Sequence, residues 1–455
     1  MRKKTKLMVD FFKHDSVKLT VPFPISCFKN DIWNKLKPFK FDALIKGQKR
    51  DVVFLGKNYN DFLTDNNVFK FLKSFRKIKS YKVNNGCFSY TDIYELNKIK
   101  KLKEKFNNNK SSYSQEMYGY WKIFKKHANE LNKQYKYHAY IDIQSYYDSV
   151  YTHFLYGIQT KNINKFLEFE ENHNVKEWKE KNTKEWCNIF FKTFESKINY
   201  CRQSHTLAIG NGISDFLAEL YNKLIDFFTM PKKIGKLTII RFRDDIYIFG
   251  NEEETINKLY RKYQSILNKL HLHINEAKSY EAIKEKIEFY EKEEEYRNLL
   301  KNKKHRYTYL QISKMFTVKY PKSNLIFDLL KKVYQNDEVK IKQHVKSLSE
   351  IFNKSRTNVL PLILSIIDKI KKDKKKMFYF FWNNISKKDL SESDWIWILC
   401  FKWKNQIEIQ SDIGNNNFKR LWKKLMSFLE DNNKEINLYY DADKWSYGEI
   451  KTLSH

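Results

Sequence analysis

The chain has 455 residues, of which 42% are hydrophobic and 16% aromatic, and a formal net charge of +32. That length suffices for a sizeable core and for two or three domains of ~100–200 residues each; the aromatic content excludes a disordered chain. The charge favours a polyanionic partner, because each lysine that neutralises a phosphate releases a counterion, although an AT-rich genome also encodes a composition this rich in Lys, Asn and Ile. Most of the cations are Lys, which meets phosphates as a point charge rather than reading bases bidentately.

Cys27, Cys87, Cys187, Cys201 and Cys400 are odd in number and form no CxxC pair, which argues against a disulfide framework or a structural zinc site and fits a reducing cytosol. Met1-Arg2-Lys3-Lys4 is basic, but no apolar stretch follows it, so it does not read as a signal peptide. Apolar runs such as Val359 to Leu364 are too short to span a bilayer. The expectation is a soluble, cytoplasmic protein with no membrane partner.

In chain order, Pro22 and Pro24 punctuate an extended start, and Asn107 to Ser112 reads as a polar loop. A helix is predicted from Glu116 to Leu131, with Tyr118, Trp121 and Phe124 on it. Tyr137 to Ile143 is rich in aromatic and β-branched residues and reads as a buried strand. Residues 160–200 look helical, and Ser214 to Phe228 is a strongly amphipathic helix. Leu237 to Phe242 and Ile246 to Phe249 are two strands around Arg243-Asp244-Asp245, a hairpin with an acidic tip. A charged stretch follows from Glu281 to Arg306. From about Ser323, helical periodicity dominates: Leu329, Val333, Ile341, Val345, Leu348 and Ile351 mark one pair of helices, and Leu360, Ile363, Ile366 and Ile367 another. This suggests an α-helical repeat array, without an evident repeat period.

An Asp-Asp tip between strands is ordinarily a solvated turn. Here both flanking strands are apolar, so the tip emerges from a core, and adjacent carboxylates held there repel each other unless a cation is present. Asp142 lies near the end of another apolar strand about a hundred residues earlier. If the strands lie side by side, three carboxylates converge at one sheet edge. Hard oxygen ligands suit Mg²⁺, and two such ions can serve nucleotidyl transfer, which needs mainly positioning and charge neutralisation.

These residues resemble the reverse transcriptases. Ile141 to Tyr151 resembles their motif A, Leu207 to Glu219 motif B, Phe242-Arg243-Asp244-Asp245 motif C, and Leu272 to Lys278 motif D. The order and spacing also match. The resemblance implies that Asp142, Asp244 and Asp245 are catalytic and hold two Mg²⁺ ions, Asp142 and Asp244 as the primary ligands and Asp245 in support, with Mn²⁺ as a substitute and the Ile143 carbonyl as a further ligand. Tyr147 would be an aromatic steric gate that excludes a 2′-hydroxyl and selects dNTPs; an ordinary core ring is the alternative, and Tyr146 is its neighbour. Gly210 and Asn211 would lie close to the incoming base pair, Ser214 would open the helix that follows, and Lys278 would neutralise triphosphate charge or be a surface lysine.

Within that family, Asp148 to His153 and Gly210 to Glu219 look most like the abortive-infection, defence-associated group. That resemblance implies anti-phage DNA synthesis, protein-primed and in some members template-free, by a homo-oligomer whose helical-repeat domain follows the palm. Ile209 stands where the family has glutamine and cannot hydrogen-bond a template–nucleotide pair, which points to relaxed template reading. Arg243 replaces a small or apolar residue and would either crowd the primer end or meet a phosphate. Arg76, Lys77 and Lys79 are candidates for gripping the triphosphate. A protein primer needs a tyrosine hydroxyl, and Tyr439, Tyr440 and Tyr447 lie near the chain's end, where a mobile segment could reach the site.

The expected fold is α+β, with reverse-transcriptase-like fingers at 1–120 and a palm at 121–280 that carries a helical insertion at 160–200. A charged connector or thumb-like region follows at 281–320, then a HEAT-like helical repeat domain at 321–455. Met377 to Trp382, Trp395 and Trp397 are core or oligomer contacts, or else a groove for single strands. Two other functions remain: a templated enzyme that copies an associated non-coding RNA, and a non-catalytic nucleic-acid-binding scaffold. The partners implied are dNTPs and a DNA product that, under protein priming, stays covalently attached.

Overall fold

Alternating apolar residues make an antiparallel hairpin of β1 (Phe39–Ile45) and β2 (Gln48–Phe54), in register from Phe39–Phe54 to Ile45–Gln48. Gly47, in the turn, takes a φ of 82°, a conformation that other residues rarely adopt. A computed structural model describes residues 39–45, 47–54, 61–62, 87–89, 116–152, 192–194, 207, 212–230, 237–285, 308–323, 325–335, 342–355, 358–370, 373–387 and 390–407. The chain divides into two units, Met1–Ser16 with Asn58–Phe289 and Val17–Lys57 with Tyr290–His455.

The first unit is built on a mixed sheet. Its described elements are β3 (Cys87–Ser89), α1 (Glu116–Gln134), β4 (Tyr137–Asp142), the single turn α2 (Tyr146–Ser149), α3 (Gly212–Thr229), β5 (Thr238–Phe242), β6 (Asp245–Gly250), α4 (Glu253–Lys269) and β7 (Tyr280–Ile283). The strands run in the order β3-β5-β6-β4-β7; β3 is parallel to β5, and the other pairings are antiparallel. β5 and β6 form the hairpin read from the sequence, joined by Arg243 and Asp244.

Strand alternation sorts the side chains onto two faces. One face carries Asp142, Tyr140 and His138 of β4 opposite Asp245, Tyr247 and Phe249 of β6. Its rings pack on one another, with Tyr140 and Tyr247 centred 4.6 Å apart, and Phe124 of α1 lies 5.7 Å from Tyr247. The other face carries Ala139, Ile141, Ile246 and Ile248, all buried. Here Leu237, just before β5, and Ile256 of α4 pack so closely that a Cβ on Gly250 would come within 2.5 Å of the Leu237 side chain and 3.3 Å of Ile256.

The second unit is helical: α5 (Tyr309–Lys319), α6 (Leu325–Gln335), α7 (Lys342–Lys354), α8 (Leu360–Lys369), α9 (Lys374–Asn383) and α10 (Glu392–Lys404). The periodic residues Leu329, Val333, Val345, Leu348, Ile351 and Ile363 are buried, as the sequence pattern predicts. Trp397 is fully buried, and Phe378 stacks on Phe401 at 5.0 Å, so these aromatics form core. The arrangement is one of mixed helix and sheet; the helices do not establish a HEAT-like repeat.

The β1–β2 hairpin falls within the 1–120 segment read as fingers, yet it packs with these helices. Phe41, Ala43 and Val52 join their core. The Asp42 N–H donates to Glu392 Oε2 at 2.9 Å, and the Glu392 N–H donates to Asp42 Oδ1 at 2.7 Å. That second bond satisfies an N–H in the first turn of α10 that has no partner within the helix.

Most of 63–115 and of 160–200 lies outside the described residues, as do Tyr118 and Trp121 as side chains. Arg76, Lys77, Lys79, Ile209, Gly210, Asn211, Tyr439, Tyr440 and Tyr447 lie outside them too.

Candidate active site

Antiparallel register sets Asp142 of β4 directly opposite Asp245 of β6, at the sheet edge where the β5–β6 turn emerges. The Asn275 N–H donates to the Asp142 carbonyl at 2.8 Å, and the Asp142 N–H donates to Ser279 Oγ at 2.9 Å. Both backbone groups of Asp142 therefore point away from β6. The Asp142–Asp245 pair is of the non-hydrogen-bonded kind, the closer of the two, with Cα atoms typically ~4.5 Å apart. Like charges placed so are mutually destabilising.

Each carboxylate has a neighbour that relieves this. Asp142, only 6% exposed, accepts from Asn275 Nδ2 at 2.8 Å and from Lys278 Nζ at 3.1 Å, both on Oδ2. Asp245 accepts from the Tyr140 hydroxyl. Burial, then the Asp245 charge, pushes the Tyr140 hydroxyl far above its ordinary value, so it stays a donor. Lys278, predicted to meet triphosphate, ion-pairs with Asp142 while its side chain stays 61% exposed.

Ile143 bridges Ile274 across bonds made by its neighbours, Gln144 N–H to His273 carbonyl and Asn275 N–H to Asp142 carbonyl, both 2.8 Å. Its own carbonyl therefore faces the β6 side, toward the acidic turn, where a backbone ligand is expected. Two facing carboxylates and a carbonyl are the hard-oxygen donor set that suits Mg²⁺ or Mn²⁺. Among the described residues, no three acidic, histidine or cysteine side chains stand together as a ready metal cage. The strand register brings Asp142 and Asp245 together, with Asp244 on the adjoining turn.

That turn is held from behind. Arg243 takes a left-handed φ of 55°, uncommon and costly for a residue other than glycine. Its carbonyl accepts from Asn222 Nδ2 of α3 at 3.0 Å and Arg241 Nη1 at 3.4 Å. Arg241 is itself fully buried. It forks onto Glu219 at 3.0 and 2.7 Å and reaches Asp226 Oδ2 at 3.1 Å, and the Tyr263 hydroxyl donates to Asp226 at 2.9 Å. Bidentate pairing fixes direction as well as distance, so α3 holds the turn in place through the sheet.

Tyr146 and Tyr147 separate clearly. Tyr146 is buried, and its hydroxyl donates to the Ala218 carbonyl at 2.7 Å. Tyr147 is half-buried, and its hydroxyl donates to Asp215 Oδ1 at 2.5 Å. Burial raises the Tyr147 hydroxyl pKa well above its ordinary value; Arg243 opposes this, and Asp215 and Asp244 add to it. Asp244 therefore lies in electrostatic reach of Tyr147 and Arg243. Burial works to lower the Arg243 pKa, but the negative charges of Asp215 and Asp244 and the Tyr147 hydroxyl more than offset it.

Ser214, predicted to open α3, is instead its third residue and fully buried, because the helix already begins at Gly212. Sequence reasoning assigned no role to Asn275, Ser279, Tyr140, Asn222 or Asp215. Asn275 and Asp215 both lay inside quoted motifs, and for Asp215 the available signal was its position in a first helical turn.

No family model matches the chain, and no curated protein does. Among solved structures it is similar to telomerase from Candida tropicalis in complex with a fragment of telomeric RNA, at 12% identity and a TM-score of 0.27. The match covers 76% of this chain and 64% of that one, so the chain spans less than two thirds of that telomerase. A likeness of that size assigns no activity. Among the described residues, no helix is long and apolar enough to cross a membrane.

Proposed function

We propose that the chain is a nucleotidyltransferase of the reverse-transcriptase type that builds DNA from dNTPs. The observation that carries this reading is the facing of Asp142 and Asp245 across β4 and β6, with Asp244 on the adjoining turn. Two carboxylates forced together at a sheet edge make sense where divalent cations are bound.

Two Mg²⁺ ions at this site would polarise an attacking 3′-hydroxyl and neutralise the leaving pyrophosphate. Asp142, Asp245 and the Ile143 carbonyl would hold them, joined by Asp244. Lys278, on a long exposed stem beside Asp142, would neutralise triphosphate charge. Tyr147 would stand beside the sugar and favour dNTPs. The surplus of lysine supports a nucleic-acid partner.

In this reading the chain belongs to anti-phage defence of the abortive-infection kind. It synthesises DNA from a protein primer, works as an oligomer, and dispenses with a template because Ile209 cannot monitor one; the motif resemblance supports these features.

The test is incubation of the purified chain with Mg²⁺ and each labelled dNTP in turn, without template or primer, followed by a denaturing gel with and without protease. Label retained by the polypeptide until proteolysis is the expected result. Asp244→Ala should lower it ~10³-fold, as befits several kcal/mol of charge stabilisation. Incorporation only after RNA is added would replace protein priming with copying of an RNA; none under any condition would overturn the polymerase reading.

A further inference from the structure

Asp215 is a carboxylate only 6% exposed, at the start of α3, where Ile213, Phe216 and Leu217 are also buried. An acid in a first helical turn is favourable in itself, but this one bonds through both oxygens to two other segments. Oδ1 accepts from the Tyr147 hydroxyl at 2.5 Å, and Oδ2 from Arg243 Nη2 at 2.9 Å. The Arg243 guanidinium lies 5.9 Å from the centre of the Tyr147 ring. The three residues close a triangle joining the segment after β4, the start of α3 and the β5–β6 turn.

Tyr147 is also fixed at its root. The Leu207 N–H donates to its carbonyl at 2.8 Å, and its ring meets Tyr146 edge-on at 5.8 Å. A wall that rejects one extra hydroxyl works only if it does not swing aside by rotation about χ1, which carries the ring's far end through the widest arc. A charge-assisted bond at the ring's far end removes that freedom.

We propose that Asp215, together with Arg243, sets sugar specificity: the Arg243–Asp215–Tyr147 bridge holds the ring as a rigid wall beside Asp244. Discrimination between 2′-deoxy and 2′-hydroxy nucleoside triphosphates then depends on the bridge as well as on the ring. This rests on the polymerase reading above. Asp215 and Arg243 act as positioning residues, through Tyr147.

The experiment compares kcat/KM for a dNTP and the matching rNTP in the full chain, in Tyr147→Phe, in Asp215→Ala and in the double variant. Tyr147→Phe keeps the ring and loses only the tether; its dNTP preference should fall on the order of tenfold, the worth of one hydrogen bond to a charged group. Asp215→Ala should lower it similarly, and the double variant no further, because both remove one bridge. Poorer folding would lower both substrates together and leave the ratio unchanged. If Tyr147→Phe discriminates as the parent does, the bridge is overturned while the polymerase reading stands, and this variant decides alone if Asp215→Ala does not fold. A parent chain that uses neither nucleotide overturns the polymerase reading, and the proposal with it.

Discussion

The two units bury polar groups in different ways. The sheet unit buries charge: Arg241 between Glu219 and Asp226, Asp142 beside Lys278, Asp215 beside Arg243. The helical unit mostly buries hydroxyls, and several of these return bonds to their own helix. Ser313 donates to the Tyr309 carbonyl, Thr317 to Ser313 and Ser349 to Val345, each four residues back. Its buried acid Asp394 closes a capping box with Ser391 at the start of α10. A hydroxyl satisfied by its own helix needs nothing from another element. A buried charge does, so it ties elements together, and such ties are dense where α3 meets the acidic turn. Costly buried charges concentrate where geometry must be held for chemistry.

Substitutions can break or sharpen this contrast. The largest effect is expected at Arg241. Arg241→Met keeps much of the volume but leaves Glu219 and Asp226 together without their cation, which should cost ~3–5 kcal/mol of stability in chemical denaturation. A loss below ~1 kcal/mol would mean that the charged interior of the sheet unit holds nothing together. The smallest effect is expected in the helical unit, at Ser365. Its hydroxyl is buried in α8 without a hydrogen-bond partner among the described residues. Ser365→Ala removes an unsatisfied group, so the same assay should show a change within about 0.5 kcal/mol or a slight gain. A loss as large as that of Arg241→Met would erase the distinction between the units.

Much of this was legible in the sequence, for identifiable reasons. β4, β5 and β6 are rich in β-branched and aromatic residues, and α3 has an apolar stripe of helical period; such patterns are local. The acidic turn could be read because two residues between apolar strands leave little choice of geometry. The β1–β2 hairpin could not be assigned to the helical unit, because Glu392 lies 350 residues from Asp42 and no local pattern couples them. Asp215 looked like any acid at a helix start, and its role depends on where the β5–β6 turn brings Arg243. Asn275 and Ser279 hold Asp142 through hydrogen bonds that form only once their segment folds back beside β4.

The central claim is that Asp142 and Asp245 face each other to hold a divalent cation, and the most direct measurement is Mn²⁺ binding followed by electron paramagnetic resonance. The parent chain and a variant carrying Asp142→Asn and Asp245→Asn would be titrated in parallel, with Mg²⁺ as competitor. The account predicts saturable Mn²⁺ uptake by the parent, displaced by Mg²⁺ and lost in the variant while its circular dichroism is unchanged. Equal uptake by both, or none by the parent, would contradict it.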